Sequence, residues 1–273
     1  MMNLEKLTCN TTSALSYQHI RNATAKIQFA GSTFLVDPYL APAGSYPRFE
    51  GTLHSEKRHP LINLNQSIDE ILQGVDAVIL THTHEDHWDE VAQDVIPKDI
   101  PIFVQNSGDA KTVRMQGFKD VRVVGKNTPF GKVKLTRIVG QHGTDFMYAI
   151  PEFAERLGDA MGVVFKADNE KTLYIVGDTL WNEQIDNVLK DYQPEIIVMN
   201  TGYARLINFD GGIIMGFDDV AKMRKVAPKA NIITVHMDAV NHTSISSDDM
   251  RKFIQQNHLK NIAVPTESEI LSY

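Results

Sequence analysis

Short apolar runs, each bounded by polar or turn residues, recur along the chain and set what it can fold into. They are Ala77-Val78-Ile79-Leu80, Leu173-Tyr174-Ile175-Val176, Ile196-Ile197-Val198-Met199 and Ile232-Ile233-Thr234-Val235. Their length and β-branched content read as buried strands. Val133-Lys134-Leu135-Thr136 alternates as a further strand before reaching Ile138-Val139, and Ala25 to Phe29 with Phe34 to Val36 flank a turn as a hairpin. Helical spacing lies between the runs. Ile185, Val188, Leu189 and Tyr192 follow i, i+3, i+4, i+7, and Val220, Met223 and Val226 repeat the pattern before Pro228. Ser246 with Asp249 has the spacing of a capping box ahead of Met250, Phe253 and Ile254. Strands alternating with helices predict an α/β layer protein. No linker divides the chain, so a single domain over 1–273 is expected. Three irregular stretches, 38–60, 143–158 and 202–216, read as long connections that surround a site or cover the surface.

Composition narrows the function classes. The 273 residues include 27 basic and 34 acidic side chains, a formal net charge of −7, which argues against a general nucleic-acid binder. No stretch approaches the roughly 20 apolar residues of a membrane span. A single cysteine, Cys9, excludes an internal disulfide framework and any multi-cysteine metal site. The first 30 residues show no basic start followed by an apolar core, so a cytoplasmic protein acting on a small molecule is expected. Self-association is left open.

The chemistry concentrates in Thr81-His82-Thr83-His84-Glu85-Asp86-His87-Trp88-Asp89, directly after the first apolar run. Three histidines and a carboxylate within six residues supply four metal ligands at a strand mouth, and that donor set suits zinc, manganese or iron. On an extended backbone His82 and His84 share a face, and a turn then brings Asp86 and His87 from another side. Further ligand types sit where other strands end. His142 follows the strand reaching Val139, Asp178 follows 173–176, and His236 follows 232–235. Sites in α/β proteins gather at such ends.

In this order and spacing the chain resembles the metallo-β-lactamase superfamily of metal-dependent hydrolases, over about Ala25 to Leu271 and including Gly31 with Leu35-Val36-Asp37-Pro38. The resemblance implies a four-layer αββα sandwich with the site at one edge. It assigns His82, His84 and His142 to one metal ion, Asp86, His87 and His236 to a second, and Asp178 to both. Two divalent ions, zinc first and manganese or iron as alternatives, would generate hydroxide near neutral pH for attack on a small ester, lactone or phosphodiester. Asp86 is suited to orient that nucleophile and move its proton. His242 competes with His236 as terminal ligand; the strand-end position favours His236 and leaves His242 beside the metals, against substrate or in a surface helix-cap region. Tyr148 and Tyr203 are candidate substrate contacts near the mouth. His54 and His59 are expected at the surface, and His19 and His258 have no comparable context.

Departures from the family work by exclusion. Asp178 stands where antibiotic-hydrolysing members commonly carry cysteine. Glyoxalase-type members share Gly-Asp-Thr-Leu, seen here at 177–180, but carry a helical domain after the last ligand, and only a short stretch follows His236. Asn22-Ala23-Thr24 replaces the Gly-His-Ala of many relatives, so no role of that histidine is transferred. What is left resembles the ascorbate-phosphate lactonase-like branch of small cytoplasmic hydrolases, a resemblance that implies lactones or small phosphoesters. The other readings are an iron-dependent redox protein on the same fold and a non-catalytic binding module; the intact ligand set argues against the latter.

Overall fold

The computed structural model describes residues 15–273, so Cys9 lies outside the described residues. Along the chain come β1 (Ser16–Arg21), β2 (Thr24–Phe29), β3 (Ser32–Val36), α1 (Ile68–Leu72), β4 (Ala77–Ile79), α2 (Glu90–Val95), β5 (Ile102–Val104), α3 (Ser107–Met115), β6 (Val121–Val123), β7 (Thr128–Phe130) and β8 (Val133–Val139). There follow α4 (Asp145–Tyr148), α5 (Pro151–Leu157), β9 (Met161–Lys166), β10 (Leu173–Ile175), α6 (Glu183–Asp191), β11 (Ile196–Asn200), α7 (Phe217–Val226), β12 (Asn231–Val235), α8 (Ser247–Gln256), β13 (Ile262–Ala263) and β14 (Ile270–Ser272). Two seven-stranded sheets result, β14-β1-β2-β3-β4-β5-β6 and β13-β12-β11-β10-β9-β8-β7.

Alternation along each strand builds four layers. On β3, Phe34 and Val36 enter the core between the sheets, where they meet Phe165 and Leu135 from the second sheet. Leu35, pointing the other way, packs with Val78 and Ile102 against Ala92 of α2 and Ala110 and Val113 of α3. The second sheet repeats the division. Ile233 and Val235 of β12 face inward, while Ile232 joins Ile197 and Tyr174 beneath Ile185 of α6, Met223 of α7 and Met250 of α8. Both faces of each sheet are therefore covered, and the fold is the αββα sandwich. Ser246 caps α8 with the expected box, its hydroxyl accepting from Asp249 N. One expectation needs correction: the stretch 143–158 is mostly helical, because Thr144 caps α4 and Pro151 opens α5 at a position where its missing N–H costs nothing.

His19 of β1 is buried, and burial pulls its pKa down to about 4 against the raising influence of Glu269. The unfolded chain therefore binds a proton that the folded chain refuses. This contribution to stability is full above about pH 6.5 and is lost as pH falls towards 4. Urea unfolding at pH 7.5 and 5.0 should show the wild type losing about 2 kcal/mol more than His19→Gln over that interval. Equal losses in the two proteins would refute the assignment.

Candidate metal centre

The site lies where the strands of both sheets end. Gly177 at the end of β10 has φ +74°, and a Cβ there would stand 2.3 Å from the Met161 carbonyl oxygen, so only glycine turns the chain here and delivers Asp178. Gly202 admits the last strand end, since a Cβ would come within 2.1 Å of the His236 oxygen. Asn22, Asp37 and His236 all hold positive φ (57°, 45° and 64°) without being glycine. Such conformations cost energy and persist where surrounding contacts impose them, and here they gather at one place.

Seven side chains converge. Ligand atoms of His82, His84 and His142 lie within 4.8 Å of one another, as do those of His82, His87 and Asp178, and those of Asp86, His87 and His236. Asp178 is at the centre: its Oδ2 lies 3.2 Å from His87 Nε2, 3.5 Å from His236 Nε2, 3.7 Å from His142 Nε2 and 4.0 Å from His82 Nε2. Asp86 Oδ2 is 3.3 Å from His236 Nε2 and 3.8 Å from His87 Nε2.

The outer hydrogen bonds settle which nitrogen each ring presents. His87 Nδ1 donates to Asp37 Oδ2 over 2.9 Å, leaving Nε2 for the centre. Thr81 Oγ1 donates to the same carboxylate over 2.7 Å, so it accepts from His82 Nδ1 at 3.1 Å and leaves that ring's Nε2 free. His142 Nδ1 donates to the Ile213 carbonyl, freeing Nε2, whereas His84 Nε2 donates to the Arg156 carbonyl, freeing Nδ1. Four imidazoles thus turn lone pairs inward, with their other N–H anchored outside, which is the arrangement metal ligands require. His236 differs, since its buried Nδ1 has no partner among the described residues.

Electrostatics separate three imidazoles held neutral from two that the carboxylates favour in the charged form. Burial pulls the pKa of His82 well below the ordinary imidazole value and that of His84 to about 4, with His87 and His142 respectively adding to the fall. Burial also lowers His142, outweighing Asp178. Burial opposes ionisation of Asp86 and Asp178, yet neighbouring imidazoles hold both carboxyls far below their usual range, His87 leading for Asp86 and His236 for Asp178. The carboxylates in turn lift His236 to about 9 and His87 well above normal, although burial acts the other way. Two ionised carboxylates among inward lone pairs attract positive charge. The residues present therefore fit divalent cations by donor type, ring orientation and charge.

Several contributors carry no site role in the sequence reading. Asp37, at the end of β3, accepts from Thr81 N as well as from Thr81 Oγ1 and His87. Asn200, ending β11, donates to Asp178 Oδ1 over 2.6 Å. Asn22 donates to the Asp86 carbonyl over 3.1 Å and stands 3.4 Å from both Asp86 Oδ2 and His236 Nε2. Their shared signal was position, an acid or amide one step past a buried strand or in a turn beside it.

A cavity of about 190 Å³ opens onto the cluster, lined by His84, Asp86, His142 and Asp178 on one side and by Phe49, Leu157, Leu206 and Ile213 on the other. His242 also lines it, and burial pulls its pKa to about 3. The two tyrosines are elsewhere. Tyr148 donates to the Gly158 carbonyl and accepts from His142 N, bracing the backbone of that histidine, while Tyr203 packs its ring near Gly212 and Gly216. His59, expected at the surface, is buried, because Tyr39, Tyr46 and Phe49 enclose its ring. His54 is exposed as expected.

The family profile described as "Beta-lactamase superfamily domain" matches residues 32–237. The UPF0173 protein YddR of Bacillus subtilis (strain 168) is 42% identical over 260 residues, covering 95% of this chain and all of that one. Two crystal structures superpose closely. A possible metal-dependent hydrolase from Veillonella parvula DSM 2008 has 46% identity and a TM-score of 0.94, covering 96% of this chain and 100% of the other. The isothiocyanate hydrolase from Delia radicum gut bacteria has 39% identity and a TM-score of 0.91, covering 94% and 99%. Fold and donor set define a metal-dependent hydrolase. The chain belongs to the metallo-β-lactamase superfamily.

Proposed function

We propose that this protein is a dinuclear hydrolase of small, neutral, electrophilic substrates, with zinc as its first-choice metal. His82, His84 and His142 would hold one ion, Asp86, His87 and His236 the other, and Asp178 both. Bound there, the ions would supply Lewis acidity and an acidified water at neutral pH. The chain's own residues do the rest. Asp86 faces the cavity as an ionised acceptor, able to take a proton from the attacking water and return it to the departing group. Asn22 steadies the Asp86 backbone.

The observation that carries the substrate reading is the cavity wall. Phe49, Leu157, Leu206 and Ile213 present hydrocarbon opposite the ligand atoms. Arg156 is the one lining residue with a fixed positive charge, and its guanidinium donates to the Glu50 carbonyl. A phosphodiester anion would find little to replace its lost hydration on that wall, whereas an apolar substituent gains from burial. Esters, lactones and isothiocyanates meet the requirement. For the last, water adds across the central carbon, the C–N bond breaks and both water protons finish on nitrogen: R–NCS + H2O gives R–NH2 and COS. The isothiocyanate hydrolase that superposes on 94% of the chain makes this substrate the first to assay.

Purified protein should contain about two zinc or manganese ions per chain. It should turn over benzyl isothiocyanate, benzyl acetate or a γ-lactone at least about tenfold more efficiently than bis(p-nitrophenyl) phosphate. A preference for the phosphodiester would overturn the substrate reading. Bound iron with visible absorbance would move the redox alternative ahead.

A further inference from the structure

Beside the ligand cluster the cavity wall carries one more carboxylate, Glu85, and a buried pair of side chains is devoted to it. His59 stands behind Glu85, with its Nε2 3.3 Å from Oε2, and is only 1% exposed. On its far side, the Tyr39 hydroxyl lies 2.5 Å from His59 Nδ1. Burial pushes the Tyr39 phenol upward, so it keeps its proton and donates it to Nδ1. With that hydrogen bond made at Nδ1, the ring presents Nε2 as a donor on the side of Glu85. Phe49 stacks on the His59 ring at 4.2 Å and 12°, and the backbones of Tyr46 and His59 clasp each other. The imidazole cannot turn away.

Folding gives no reason for this device. Glu85 has 37% of its side chain exposed, and solvent alone would satisfy it. His59 Nε2 is buried and meets Glu85 too obliquely for a full hydrogen bond, leaving an unpaired donor where an apolar ring would fill the same space. The arrangement instead holds a carboxylate at one place on the wall of a mostly apolar cavity. A fixed carboxylate accepts hydrogen bonds and does so best from a charged donor.

Resting on the hydrolase reading above, we propose that Glu85, seated by the Tyr39–His59 pair, recognises the nitrogen side of the scissile bond, so that this cavity selects neutral substrates whose departing group is an amine. In the isothiocyanate reaction the nitrogen starts with no N–H and ends with two, and an amine product takes up a further proton from solvent in neutral water. Acceptance by Glu85 therefore strengthens as the C–N bond breaks. An ester offers only an alcohol oxygen at that position and has less use for the carboxylate. His59 and Tyr39 act through Glu85 as positioning residues.

The test compares two substrates that share a benzyl group, using metal-loaded protein. Benzyl isothiocyanate releases benzylamine, and benzyl acetate releases benzyl alcohol. In Glu85→Gln the ratio of kcat/KM for isothiocyanate over ester should fall about tenfold or more, with His59→Gln moving it the same way by less and Glu85→Asp restoring part of it. Calorimetric titration with benzylamine should show binding weakened about tenfold in Glu85→Gln. That titration needs no turnover, so it judges Glu85 even if neither compound is hydrolysed and the hydrolase reading itself fails. An unchanged ratio with both rates reduced together, or equal benzylamine affinity in wild type and Glu85→Gln, would overturn the proposal.

Discussion

Asp178→Asn is expected to bind at most one of the two proposed ions and to lose more than the roughly 100-fold in activity that changes to outer hydrogen-bond partners cost. The reason is local. Asp178 Oδ1 accepts from Asn200 Nδ2 at 2.6 Å, while Oδ2 faces four imidazole nitrogens between 3.2 and 4.0 Å away. An amide must set its NH2 group either against the Asn200 amide or among the inward lone pairs. The first opposes two donors, and the second removes the shared anionic oxygen. Either choice also withdraws the charge that raises His87 and His236. Elemental analysis after dialysis, together with turnover, checks this. Two retained ions and near-normal turnover would exclude Asp178 as the shared ligand.

Asn200→Ala is a milder version of the same change, since it releases Oδ1 but leaves the carboxylate in place. Its effect belongs within the 10- to 100-fold range of outer partners. The contrast separates the ligand from the residue that aims it.

What the sequence disclosed and what it hid divide along a physical line. Buried strands announce themselves because a run with both faces covered must be apolar throughout, as at 196–199, and residues just past such runs are confined to the sheet's edge. His142, Asp178 and His236 were legible for that reason, and His82 to His87 because those side chains are close in sequence. Strands as short as β5 and β6, three residues each, carry too few side chains for a periodic signal. Long-range partners were hidden as well. Asp37 precedes His87 by 50 positions, and Asn22 precedes His236 by 214, so only the packing of the sheets brings them together. His59 shows the same limit from the opposite side. Its loop is rich in Pro and Gly and reads as surface, yet Tyr39, Tyr46 and Phe49 from that loop form a small apolar cluster of their own around it. Tyr148 was placed near the mouth by sequence and does touch the site, but through the backbone N–H of His142 rather than toward the cavity.

Asp86→Asn is expected to reduce turnover by about 10² to 10⁴, the range for a proton-transfer group, while costing much less in metal content. Two features separate this residue from the others in the cluster. Its carboxylate lines the cavity, so it reaches the space where substrate and attacking water meet. The ligand set proposed for its ion also includes His87 and His236, and something besides Asp86 places each of them. Asp37 orients His87, and the strained backbone at the end of β12 presents His236. Asparagine keeps the shape and one oxygen donor but removes the basic site that a water proton would need. The mutant should therefore retain most of its metal and fail in the chemical step. Metal analysis and single-turnover kinetics on the loaded mutant decide the matter. Loss of activity in simple proportion to loss of metal would reduce Asp86 to a ligand, and full activity in the loaded mutant would remove it from proton transfer.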